Sequence, residues 1–165
     1  GIPEWSSQLI DLPKLRVLSP RVVVEVFEDG SSNLPKLPKS VAALHFGSIS
    51  LIPEPEGSTY EALLKREARS RVISIDPNIR PSQIKDRKTH LARLTRMMAL
   101  ADIVKISDED VAWMTGKSDF AAAARRWLKA GAKVVAITRG GEGVEVFARG
   151  QHLSLAAPKV KVRAD

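Results

Sequence analysis

Two carboxylates (Asp76 and Asp110), an arginine (Arg80), two hydroxyls (Ser107 and Thr138) and glycines at 140, 141 and 143 are the residues whose types and spacing suit one chemistry. A guanidinium contacts phosphate in a two-pronged way, and carboxylates hold magnesium, usually through water. Glycine N–H groups, with no side chain in the way, face an anion. The inventory points to phosphate and magnesium. Each part also has a plainer reading. The glycines fit a hairpin turn between two strands, and Asp76 with Arg80 fits an ion pair that stiffens a loop. Residue type and spacing leave both readings open. Other chemistries lack their residues. The chain has no cysteine, hence no disulfide, thiol nucleophile or cysteine-held zinc. His45, His90 and His152 stand in unrelated contexts, so neither a metal cluster nor a Ser/His/Asp triad is expected. The stretch 138–143 leads into a strand, whereas a Walker loop or dinucleotide fingerprint leads into a helix.

The elements that must position these residues follow from the hydrophobic pattern. Strands are expected over 21–28, rich in β-branched residues, and over the short apolar runs 41–46, 72–75, 102–106 and 134–138, and 144–147 alternates Val and Glu as a half-exposed strand does. Two further strands are expected over 151–157 and 159–162. Helices fall between them. One opens on a capping box at Ser58 and Glu61 and runs to about Arg69, a second covers 85–101, a short third is capped by Ser107 with Asp110 and ends at Gly116, and a fourth runs from Ser118 to Gly131. Alternating strands and helices predict a mostly parallel sheet covered by helices on both faces. Gly47-Ser48, 76–80, 107–110 and 138–143 each directly follow a strand, so parallel pairing lines them along one edge, where ligands of open α/β sheets bind.

The composition agrees with one globular domain. The chain has 165 residues, 44% of them hydrophobic, and a formal net charge of +7. The densest basic stretch, Lys85, Arg87, Lys88, His90, Arg93 and Arg96, is expected on the solvated face of a helix. With no aromatic ladder and no helix-turn-helix pattern, specific nucleic-acid binding is not expected. No membrane span or signal peptide is recognised, and a cytoplasmic protein is expected.

Leu44-His-Phe-Gly-Ser-Ile-Ser-Leu51, Ile75-Asp-Pro-Asn-Ile-Arg-Pro81, Ala101-Asp-Ile-Val-Lys-Ile-Ser-Asp-Glu-Asp110 and Ala136-Ile-Thr-Arg-Gly-Gly-Glu-Gly143 together resemble, in order and spacing, the ribokinase-like (PfkB) sugar kinases, and most of all the fructokinases among them. The resemblance covers about 41–162. It implies a three-layer α/β fold and transfer of the ATP γ-phosphoryl group to a sugar hydroxyl with magnesium on the phosphates. By the match, Thr138, Arg139, Gly140, Gly141 and Gly143, together with Ser107, lie against the nucleotide. Asp76, Asn78 and Arg80 fall on the loop between phosphates and sugar, with Arg80 a candidate phosphate contact. Asp110 stands where the family has a Glu that organises magnesium through water, and Ser107 where many members have Asn.

The 165 residues hold no Asp-Thr-x-Gly-Ala-Gly-Asp segment, the family's anion hole and general base, and the resemblance does not extend to the family's N-terminal third with its Gly-Gly substrate motif. A truncated core over 41–165 is therefore expected, preceded by an irregular 1–40 in which 21–30 is a remnant of a lid strand. An inactive isolated chain is expected, with a non-catalytic nucleotide- or partner-binding module as the alternative. Uncovered sheet edges and an uncovered apolar face predict self-association.

Overall fold

The computed structural model describes residues 25–26, 32–34 and 36–159. A two-residue antiparallel pair, β1 (Glu25–Val26) and β2 (Ser32–Asn33), precedes the main body. The remainder of the strand expected over 21–28, the Asp29-Gly30 turn and the strand ending at 162 lie outside the described residues, except that 159 is not in a strand. The body is a six-stranded sheet. Its strands are β3 (Ala43–Gly47), β4 (Val72–Asp76), β5 (Ile103–Ser107), β6 (Val134–Thr138), β7 (Val144–Ala148) and β8 (Gln151–Leu155), hydrogen-bonded in that order. β3 to β6 are mutually parallel, and β7 and β8 are added as antiparallel hairpins.

Four helices fill the parallel crossovers: α1 (Glu56–Glu67), α2 (Arg87–Met98), α3 (Asp108–Thr115) and α4 (Phe120–Ala130). Spatial order follows chain order without reversal, so crossovers of one hand deliver all of them to the same face. Burial agrees. Phe46, Ile73, Ile75, Val104, Ile106, Val135, Ile137 and Phe147 share that face and form the core with Leu64, Leu94, Met97 and Val111. The opposite face, with Val72, Ile103, Val134, Val146, Leu153 and Leu155, is only half-buried or exposed. Helices on both faces were expected; among the described residues the sheet and one helical layer of the three are present.

Helix boundaries were set by different residues from those expected at two places. α1 begins before Ser58, whose N–H donates to Glu54 Oε2 at 3.2 Å. Glu61, expected in a capping box, is buried instead between α1 and α2, where Arg96 grips it through two hydrogen bonds of 2.7 and 2.9 Å. That grip, with Lys65, holds the Glu61 carboxyl below its ordinary value despite burial. α4 is capped by Asp119, which accepts from the Ala122 N–H at 2.9 Å, and not by Ser118. The Ser107 cap and the left-handed Gly116 stop of α3 are as expected.

The basic stretch of α2 is not one solvated face. His90 and Arg93 are buried, and Arg93 pairs with Glu54 and donates to the Leu51 carbonyl. A helix of this pitch carries residues three apart to one side, and a buried acid on α1 gives the arginines an inward partner. Arg66 and Arg71, at the end of α1, bind the carbonyls of Leu34, Leu37 and Val41 and so fasten the segment entering β3.

The uncovered face generates a prediction. Val72, Leu153 and Leu155 are 44%, 54% and 39% exposed on it, and β8 is an unpaired edge among the described residues. The chain is expected to self-associate, with the light-scattering mass rising across a concentration series, and the double variant Leu153→Lys, Leu155→Lys to lower that mass. A monodisperse monomer at every concentration would count against this face as an association surface.

Candidate functional site

Gly47, Asp76, Ser107 and Thr138 end the four parallel strands, with Gly47 opposite Asp76 and Ser107 opposite Thr138 in the ladders. At the usual strand spacing this edge is about 14 Å long from β3 to β6. Among the described residues, the non-glycine positions with left-handed backbone lie in the loops beyond it. Ser48 and Asn78 have positive φ, 66° and 42°, although neither is glycine. Such conformations collect where a site overrides local preference. Asn78 Nδ2 faces Ser48 Oγ at 3.4 Å across the β3–β4 boundary. Gly47 must be glycine because a Cβ there would run into the Asp76 carbonyl.

The loop after β4 stays non-helical until the 3₁₀ turn at Pro81, as its two prolines require of the residues before them, and Asn78 turns left-handed between them. It is fastened to α3 by Asp110, whose Oδ1 accepts from the Ile79 N–H at 3.2 Å. Burial is the main cause that pushes the Asp110 carboxyl above its ordinary value, with the nearby Asp76 charge adding to it and the Ser107 hydroxyl opposing it. Asp76 sits beside it. Its Oδ2 takes a 2.8 Å contact from Lys105 Nζ, and its Oδ1 is buried without a hydrogen-bond partner. A cleft of about 720 Å³ runs along β3 from this point, lined by His45, Ser48, Tyr60, Asp76 and Asn78 among others.

On the neighbouring strand the chain leaves Thr138, makes one 3₁₀ turn at Gly140–Glu142 and returns in β7. The turn closes through Glu142 N–H to the Arg139 carbonyl and Gly143 N–H to the Gly140 carbonyl. The N–H groups of Gly140 and Gly141 take no partner among the described residues. A Cβ built at Gly141 meets nothing within 4 Å. At Gly143, by contrast, φ is 102° and a Cβ would collide with the Leu155 carbonyl, so that glycine serves the fold.

The structure therefore brings together Asp76, Asn78, Ser107 and Asp110, with Thr138 and the glycine turn on the adjoining strand. Two arginines are placed differently from their sequence assignment. Arg80 is exposed and donates to the Ile79 and Asn78 carbonyls of its own loop, so the Asp76–Arg80 ion pair, one of the two readings open in the sequence, is not formed. Arg139 turns back to Glu142 and Glu145, with its guanidinium 5.2 Å over the Phe120 ring, and braces the turn from behind. Lys105 was missed. The available signal was a lysine inside Ile103-Val104-Lys105-Ile106, where an apolar strand has no use for a charge. Among the described residues no group of three or more His, Cys, Asp or Glu is placed to hold a metal by itself. Asp76 and Asp110 fit magnesium only in the mode in which phosphates and water complete the shell.

The polar edge of this parallel sheet, with free glycine amides, two carboxylates and a lysine, lies where ligands of open α/β sheets bind. The family model for pfkB family carbohydrate kinases matches residues 23–163, and the chain belongs to that family. Among curated relatives, a fructokinase of Rhizobium leguminosarum bv. trifolii is 52% identical over 132 residues, 80% of this chain and 40% of the relative. The chain thus spans less than half the length of this relative. Among solved structures, an aminoimidazole riboside kinase from Salmonella enterica, complexed with aminoimidazole riboside and an ATP analog, aligns at TM-score 0.66 and 22% identity over 73% of this chain and 41% of that one. A Vibrio cholerae O395 fructokinase in a fructose, ADP and calcium ion bound form aligns at TM-score 0.65 and 23% identity over 84% of this chain and 51% of that one. The fold is ribokinase-like, α/β with a mostly parallel sheet. Among the described residues no helix is long and apolar enough to cross a membrane.

Asp110 yields a pH prediction. Its folded carboxyl binds a proton more readily than the unfolded one, so stability falls as pH rises from the ordinary carboxylate value through the raised folded value. Asp110→Asn keeps an oxygen for the Ile79 N–H and removes the charge. The variant is expected to melt at or above wild type at neutral pH, with the difference disappearing below the carboxylate range. A variant that melts well below wild type at neutral pH would show that the ionised group is stabilising.

Proposed function

We propose that this chain carries the nucleotide-phosphate and acceptor-loop portion of an ATP-dependent sugar kinase of fructokinase type. The observation that carries the reading is the pair of unpartnered N–H groups at Gly140 and Gly141, open to solvent at the end of β6 and one strand from Ser107 and Asp110. Amides in this position stabilise phosphate without reorganising. Thr138 and Ser107 border the turn. Asp76 and Asn78 line the cleft along β3 in which a sugar hydroxyl is received. Magnesium, when bound, would neutralise charge on the phosphates, and Asp110 would hold it through water. A fructokinase relative and solved kinase structures that hold an ATP analog, or fructose and ADP, support this choice of acceptor and cofactor.

Phosphoryl transfer also needs a base on the acceptor hydroxyl and an anion hole for the developing charge. The 165 residues contain no Gly-Ala-Gly-Asp segment to supply them. Nucleotide binding without turnover is the expected behaviour of this chain by itself. As a second reading, the same free amides serve a non-catalytic nucleotide-binding module.

Gly141→Val tests the site cleanly, because the position is free of protein neighbours and the variant is expected to melt as wild type does without ligand. Millimolar magnesium-ADP should raise the melting temperature of wild type and not of the variant. At 100 times the dissociation constant the stabilisation amounts to about 2.7 kcal/mol. An equal shift in both proteins would reduce the turn to a hairpin connection. In a coupled assay the chain is expected to show no fructose-dependent ADP release, and a rate clearly above the no-enzyme control would overturn that expectation.

A further inference from the structure

We propose that Glu142 and Arg139 form a side-chain tether that aims the Gly140 and Gly141 N–H groups, so that an acidic residue inside the turn raises its affinity for phosphate. The proposal deepens the nucleotide reading above, on which its binding arm rests, and gives Glu142 an effect opposite to the one its charge suggests. Little else holds the two amides. Neither N–H has a partner among the described residues, and a Cβ built at Gly140 or Gly141 meets nothing within 4 Å. Adjacent glycines have the widest backbone freedom of any residues, and Gly140 has to stay at a φ of 49° for the turn to keep its shape. Free amides bind an anion well only where their directions are fixed beforehand.

Backbone closures at Arg139 and Gly143 fix the two ends of the turn. Between Arg139 and Val144, Glu142 is the one residue with a side chain. Its carboxylate pairs with Arg139 Nη2, while Arg139 Nη1 donates to Glu145 Oε1 on β7 at 2.8 Å. The same guanidinium lies 5.2 Å over the ring of Phe120, the first residue of α4, which packs against the core. A planar fork of fixed geometry thus joins the turn to a strand and a helix, which a single ammonium cannot do. As a contribution to stability the Arg139–Glu142 pair has little to offer, since the Glu142 side chain is 68% exposed. By charge alone it is misplaced, because a carboxylate beside an anion site repels what the site binds. That repulsion is small for a carboxylate already paired and lying largely in water, where charge is screened. The entropy of two unrestrained glycines outweighs it.

Calorimetric titration of the 165-residue chain with ADP and with inorganic tripolyphosphate, without magnesium so that no carboxylate acts through a metal, separates tether from charge. Glu142→Ala is expected to weaken both ligands about tenfold although it removes a negative charge, and to melt as wild type does. Arg139→Lys keeps the cation without the fork and should weaken them by a similar factor, and the double variant should be no weaker than either single one. Heteronuclear relaxation of isotope-labelled glycine amides should show Gly140 and Gly141 ordered in wild type and mobile in Glu142→Ala, without ligand. If Glu142→Ala tightens phosphate or leaves it unchanged, the side chain acts by charge alone or not at all, and the proposal fails. It fails as well if binding weakens while the two amides stay as ordered as in wild type, or if Arg139→Lys binds as wild type does. A wild-type chain that binds neither ligand would bring down the nucleotide reading and the affinity claim with it, and the relaxation of the two amides would still report the tether separately.

Discussion

Parallel pairing of β3, β4, β5 and β6 in chain order is the constraint from which the rest of the molecule follows. Parallel strands end on the same side, so four loops that are remote in sequence begin along one edge. Pairing without reversal also sends every crossover over the same face. A core of Ile, Val, Leu and Met under α1 to α4 results, as does an opposite face that no described residue covers. The edge is polar because these strands change character at their last residue, from Ile75 to Asp76, Ile106 to Ser107 and Ile137 to Thr138. Apolar residues hold the strand ends in place while the terminal side chains remain free for chemistry.

Electrostatics at this edge is arranged in layers. Charges near the helices are consumed by structure: Glu61 by Arg96, Arg93 by Glu54, and Asp102 by Lys133 and the Ile73 N–H. At the strand ends satisfaction is incomplete. Asp76 keeps one buried oxygen without a partner, Asp110 is pushed toward its protonated form, and two glycine amides are open. Left-handed backbone at Ser48 and Asn78 falls in the same place. Backbone strain and a buried oxygen without a partner both oppose folding, so their meeting at the strand ends marks this edge as a candidate binding site, although His90 Nδ1 and Arg93 Nε on α2 are also buried without a hydrogen-bond partner.

Ser107 and Asp110 show how one residue serves fold and site together. Ser107 Oγ accepts the Asp110 N–H and starts α3. Asp110 then reaches across to Ile79 and fixes the loop that carries Asp76 and Asn78. Removing either would loosen the loop geometry on which the carboxylates depend. Arg139 has a comparable part behind the glycine turn, where ion pairs and the Phe120 ring hold the turn against β7.

The pattern of apolar residues and the placement of glycine and proline were enough to locate the described strands of the main sheet, the non-helical loop after Asp76 and the glycine turn after Thr138, because these are local properties of the backbone. Parallel order then made the strand-end cluster legible before any coordinate was known. Pairing of side chains was not legible, since it depends on which face each element presents. Asp76 found Lys105 across the ladder and not Arg80 on its own loop. Glu61 found Arg96 on α2 and not the N-terminus of its own helix, and Arg93 turned inward from a stretch that reads as solvated. Strand ends, turns and family motifs were thus determined by sequence alone. Partners, burial and the uncovered sheet face were decided by tertiary structure, because they rest on residues about 29 to 39 positions apart meeting in space.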